Sequence, residues 1–142
     1  MKKLFIIVLL FAFVPALVFA DLSQAVWLRP IEKAVVAIVG SGLGSGCIAT
    51  EDGYIVTNRH VVTGAESIYV YTYDLIKYKA RLVGYHSVVD IAVIKIEPIE
   101  ELSYFSENKI MDDKMVFVGD TVYAIGHPMG MIWTVSKGII TS

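Results

Sequence analysis

The stretch Gly46-Cys47-Ile48-Ala49-Thr50-Glu51-Asp52-Gly53-Tyr54-Ile55-Val56-Thr57-Asn58-Arg59-His60 decides the fold. Two apolar runs, 46–50 and 54–57, flank the pair Asp52-Gly53. Gly accepts the positive φ that a tight hairpin turn requires, so the two runs read as paired antiparallel strands. The texture continues outward on both sides, and strands are expected at 34–39, 67–73, 77–85, 90–96, 121–125 and 132–140 as well. Runs such as Ser67-Ile68-Tyr69-Val70-Tyr71 alternate as a sheet with one wet face does. No long segment carries a helical period. Many short strands at close spacing predict an all-β fold, a sandwich or a barrel.

Composition narrows the function classes. The chain has 142 residues, with 12 Lys+Arg against 14 Asp+Glu, a formal net charge of -2 and one cysteine. Near-neutral charge without a long basic run argues against nucleic acid as a partner. One cysteine makes neither an internal disulfide nor a cysteine-rich zinc site. Cys47, between Gly46 and Ile48, reads as a small apolar packing residue rather than a reactive thiol. No cofactor-binding motif is read, and His60, His86 and His127 lack metal-ligand spacing, so neither a cofactor nor a metal is expected.

Mean hydropathy is +0.63, high for a globular chain, and the excess lies at the N-terminus. Lys2 and Lys3 precede an apolar run from Leu4, followed by Pro15 and the small-residue site Val18-Phe19-Ala20. This is the layout of a secretory signal peptide, 1–20, with cleavage after Ala20 and an exported, periplasmic or secreted product. The alternative is a retained anchor, because 4–20 lies at the lower limit of a membrane span. The domain reading that follows is a signal peptide at 1–20, an N-terminal segment at 21–30, a first β-barrel at 31–115 and the start of a second at 116–142. The acidic stretch from Pro98 to Asp113 is expected to be a surface connection between the two.

Two local patterns carry chemistry. His60 stands directly after a strand, where the chain turns, and Asp90 stands at the mouth of the apolar strand Ile91-Ala92-Val93-Ile94. Alone, such a histidine is usually structural and such an aspartate usually a cap. A buried carboxylate beside an imidazole, however, fixes the tautomer and stabilises the imidazolium formed when the ring takes a proton. Together they make a general base.

The chain resembles the trypsin-like serine proteases, and within them the HtrA/Deg branch. The resemblance runs through Gly44-Ser45-Gly46, 52–58 leading into His60, Asp90-Ile91-Ala92-Val93, Val118-Gly119-Asp120, Ala124-Ile125-Gly126-His127-Pro128-Met129-Gly130 and 135–140, in the family's order. It implies a chymotrypsin-like pair of antiparallel β-barrels, the first complete here and the second truncated. It also implies serine endopeptidase activity on exported or misfolded polypeptides, with His60 as general base and Asp90 as its orienting carboxylate. The family's nucleophilic serine sits in a Gly-Asn-Ser-Gly-Gly type motif on the second barrel, and residues 1–142 hold no such motif. Ser45 matches the family's glycine turn, and Ser106, Ser136 and Ser142 lack flanking glycines. The expectation is therefore a fragment that is inactive alone, with a homotrimer as one possible assembly of the intact parent; whether PDZ domains follow, as in many relatives, is left open. The alternative is a secreted pseudoprotease acting as a protein-binding module. His86 is expected to be a solvated loop residue and His127 a turn residue. Tyrosines 69, 71, 73 and 78, alternating or nearly so along adjacent strands, read as cross-strand packing.

Overall fold

The computed structural model describes residues 28–105, 116–127, 130 and 133–141. The expected signal peptide, Ser106 and Ser142 lie outside them. The six strands of the main body are β1 (Val35–Val39), β2 (Leu43–Ile48), β3 (Tyr54–Thr57), β4 (Ile68–Tyr71), β5 (Lys77–Tyr85) and β6 (Ala92–Lys95). They close into an antiparallel barrel in the order β1-β2-β3-β6-β5-β4. Two three-stranded meanders, β1-β2-β3 and β4-β5-β6, are thus joined twice, by β3 with β6 and by β1 with β4. Closure leaves this body without the free edges that an open sheet would present. Every strand read from the sequence is present: those at 54–57 and 77–85 keep their bounds, others lose a residue or two at one or both ends, β2 begins earlier, at Leu43, and the strand expected at 121–125 runs on to Gly126.

The Asp52-Gly53 turn forms as predicted. Gly53 has φ +93°, its amide bonds the Thr50 carbonyl, and the Ala49 amide closes the hairpin onto Tyr54. Alternate residues point inward and fill the barrel with branched aliphatics: Val36, Ile38, Ile48, Ile55, Val70, Ile94 and Ile96 are fully buried. The acidic connection is less superficial than expected. Leu102 is buried in the core, and the Phe105 amide bonds the Ile48 carbonyl, so residues 102–105 pack along the barrel.

Beyond the barrel, β7 (Thr121–Gly126) and β8 (Thr134–Ile139) pair as a two-stranded antiparallel sheet. This hairpin sits against the outer face of the barrel near Ser45. The Ser45 hydroxyl accepts the His127 amide at 2.8 Å, and the Trp133 ring nitrogen donates to the Val35 carbonyl. The architecture is a chymotrypsin-like β-barrel followed by a second, smaller sheet.

One close approach fixes how the segment after β3 lies on the barrel. A side chain at Gly40 would bring its Cβ to 2.4 Å from the Val61 carbonyl oxygen, which is itself held by the Ser41 amide. Backbone cannot yield as a side chain can. Gly40→Ala is therefore expected to destabilise the barrel by about 1–3 kcal/mol, the range for overpacking, as read by chemical denaturation. An unchanged midpoint would contradict this close contact.

Candidate active site

The site is built by the pairing of β3 with β6. Their register places Thr57 opposite Ala92. Residues just after β3 and residues just before β6 are thereby brought to the same end of the barrel, although His60 and Asp90 are 30 positions apart in sequence. After Thr57 the chain makes one helical turn, Arg59–Val62, whose residues Val61 and Val62 are buried in the core. Those two valines anchor the turn and leave His60, between Arg59 and Val61, facing outward. Gly44 helps to seat it, because a Cβ there would meet the Val61 side chain at 2.5 Å.

His60 Nδ1 lies 2.6 Å from Asp90 Oδ2, and the His60 backbone amide donates to Asp90 Oδ1 at 2.9 Å. Both carboxylate oxygens are thus engaged by one residue. Asn58 occupies the N-cap position of the turn yet makes no side-chain cap bond. Its amide group instead donates to the Asp90 carbonyl at 3.0 Å and to Oδ2 at 3.3 Å. The acceptor that a cap residue normally offers to the second amide of a helix comes here from Asp90, on another strand. An acceptor at Nδ1 keeps the proton there and leaves Nε2 as the basic nitrogen, with no partner among the described residues.

These contacts hold the Asp90 carboxyl below the usual carboxylate range, first through the His60 amide, then through the His60 ring and Asn58. A depressed carboxyl pKa contributes stability that is present above the ordinary value of about 4 and is lost as pH falls through the folded value. The expectation of a buried carboxylate is corrected. The Asp90 and His60 side chains are 45% and 71% exposed, because nothing among the described residues covers this end of the barrel.

The other candidates fall elsewhere. His86 is exposed, as expected, but it is not idle: its Nδ1 accepts the amides of Val88 and Val89. His127 is 3% exposed and packs its ring edge-to-face on Trp133, so it is a docking residue of the hairpin more than a turn residue. Ser45 Oγ serves His127, which has no carboxylate partner among the described residues, whereas Ser136 lies on β8. Cys47 is half-buried, and burial pushes its thiol pKa up, as suits a packing residue.

Burial also lowers the His127 pKa, favouring the neutral ring. A base whose folded pKa lies below the ordinary value of about 6.5 stabilises the fold above that value and loses the contribution as pH falls towards the folded value. The urea midpoint is therefore expected to drop between pH 7 and pH 5.5, and His127→Gln should flatten that drop. An equal slope in the two proteins would show that His127 is not the group responsible.

The family model for the trypsin-like peptidase domain matches residues 44–142. A probable periplasmic serine endoprotease of DegP-like type from Rhizobium meliloti is 43% identical over 99 residues, covering 70% of this chain and 19% of that protein. The magnetosome formation protease MamE of Magnetospirillum gryphiswaldense is 42% identical over 103 residues, covering 70% of this chain and 13% of its own length. This chain spans at most about a fifth of the length of these relatives. The crystal structure of a serine endoprotease from Yersinia pestis superposes with a TM-score of 0.72 at 36% identity, over 81% of this chain and 43% of that one. With barrel, ordered motifs and family match in agreement, the chain belongs to the trypsin-like peptidase domain family, on its HtrA/DegP-like side.

Proposed function

We propose that this chain supplies the base and the orienting carboxylate of a serine endopeptidase acting on exported polypeptides. The observation that carries the reading is the 2.6 Å contact of His60 Nδ1 with a carboxylate whose other oxygen is held by the His60 amide, leaving Nε2 open. In the reaction, Nε2 removes the proton of a serine hydroxyl as its oxygen attacks the substrate carbonyl. It then passes that proton to the leaving amine, and an acyl-enzyme remains to be hydrolysed by water. The names of the relatives support a periplasmic place of action, to which residues 1–20 would direct the chain. A pure binding module is the weaker reading, since a binding surface has no chemical use for a base held in one tautomer.

Residues 1–142 contain no Gly-x-Ser-Gly element, so this polypeptide alone is expected to hydrolyse nothing measurable. Without the nucleophile, at most about 10³–10⁴ over water would remain. The test is a chimaera in which residues 44–142 replace the matching stretch of the Rhizobium protein, whose remainder provides the serine. Hydrolysis of a denatured protein by the chimaera is expected. A folded chimaera without hydrolysis would overturn the proposal, as would hydrolysis by residues 1–142 alone.

A further inference from the structure

The loop that delivers Asp90 is short, exposed and carries almost no apolar burial. Residues 86–89 and Ile91 are all exposed, with Val88 at 83%. Packing therefore does not decide its shape; hydrogen bonds must. Two side chains provide them. His86 Nδ1 accepts the Val89 amide at 2.9 Å and the Val88 amide at 3.2 Å. Arg59 reaches across from the helical turn and donates through Nη1 to the Ser87 carbonyl at 2.7 Å, and more weakly to the His86 carbonyl at 3.4 Å. The backbone then closes on itself. The His86 amide bonds the Ile91 carbonyl, and the Ile91 amide bonds the Val89 carbonyl in a three-residue turn centred on Asp90.

We propose that His86 and Arg59 are positioning residues for Asp90, forming a clamp that presents its carboxylate to His60. This rests on the reading of His60 and Asp90 as a catalytic pair. An imidazole nitrogen that accepts two amides carries no proton, so His86 acts as the neutral ring with its proton on Nε2. It occupies the role an Asx side chain plays when it gathers the amides two and three residues on. Arg59 fixes the loop from the other side and comes from the residue adjacent to His60. The same peptide segment thus holds the imidazole and grips the loop carrying its carboxylate. Removing either side chain leaves the barrel strands untouched and frees the loop to swing.

The test reads the His60 ring directly. In the ¹⁵N-labelled full chain, the His60 Nδ1 proton, hydrogen-bonded to Asp90, should appear as a low-field resonance that D90N abolishes. His86→Ala is expected to broaden that resonance or reduce it by at least half. His86→Asn, which offers an oxygen to the same two amides, is expected to restore it. Unchanged intensity in His86→Ala would overturn the clamp, as would failure of His86→Asn to restore a lost signal. Should His86→Ala lose the dispersed methyl signals of the Ile38, Ile55 and Ile94 core, Arg59→Gln makes the same test from the other end, and an undiminished resonance there overturns the proposal. If the resonance is missing from the parent chain itself, the pairing of His60 with Asp90 fails, and that outcome is distinct from failure of the clamp.

Discussion

Asp90→Asn in the chimaera is expected to lower kcat by about 10⁴-fold with little loss of stability, an effect that follows from the tautomer alone. Asn keeps an oxygen that can still accept the His60 amide, so the helical turn remains capped. Its NH₂ group, however, would then face His60 Nδ1. Two donors cannot share that contact, so the ring must place its proton on Nε2 and present a lone pair to the amide. Nε2 is then unable to take the serine proton. His60→Ala should cost at least as much, since it removes the base itself, and the double variant should be no worse than the poorer single one because the two act as a unit. Steady-state hydrolysis of a denatured protein, with circular dichroism as the folding control, makes the measurement. A drop of less than tenfold in Asp90→Asn would show that the carboxylate does not set the tautomer.

Ile94→Ala carries the largest expected loss of stability. Ile94 is fully buried, pairs with Ile55 on β3 and Leu82 on β5, and lies at the seam that joins the two meanders. Deleting its outer carbons removes transfer energy and opens a cavity that a closed barrel cannot collapse to fill. The cost should be about 2–5 kcal/mol. Domains of this size hold only about 5–15 kcal/mol in total, so the variant should approach the edge of folding. Ile99→Ala, at an 80% exposed position, is the control and should stay within about 0.5 kcal/mol. Urea unfolding of both variants decides the matter. A loss below about 1 kcal/mol at Ile94 would contradict a close-packed interior there.

Much of the fold was legible in the sequence because it depends on short-range patterns. Strands announce themselves by alternation and the turn by Asp52-Gly53, whereas His60 and Asp90 stood only at strand ends, and it was the family resemblance that singled them out together. What was not legible depends on pairing between distant segments. Asn58 stands at the N-cap position of the His60 turn, yet its side chain is diverted to Asp90, and only the β3 to β6 register reveals this. His86 reads as a solvated loop residue until the amides of residues 88 and 89 are seen to converge on it, and nothing near Arg59 in the sequence announces its hold on the carbonyls of residues 86 and 87. His127 reads as a turn residue because nothing local indicates that Trp133 and Ser45 enclose it. The exposure of the dyad was missed for a related reason: burial is a property of the assembled surface.

The capping of the His60 turn by a carboxylate 30 residues further along the chain, beyond β4 and β5, ties local structure to the order of folding events. A turn of four residues cannot hold itself together in water, and its cap arrives only when β6 has docked on β3. The pair should therefore assemble late, after the non-local closure that limits the folding rate of β-barrels. The His60 amide, donated to Asp90, then becomes a clock for that event. Its protection in pulse-labelled hydrogen exchange should rise together with the ladder amides shared by β3 and β6, and later than those of the β2–β3 hairpin.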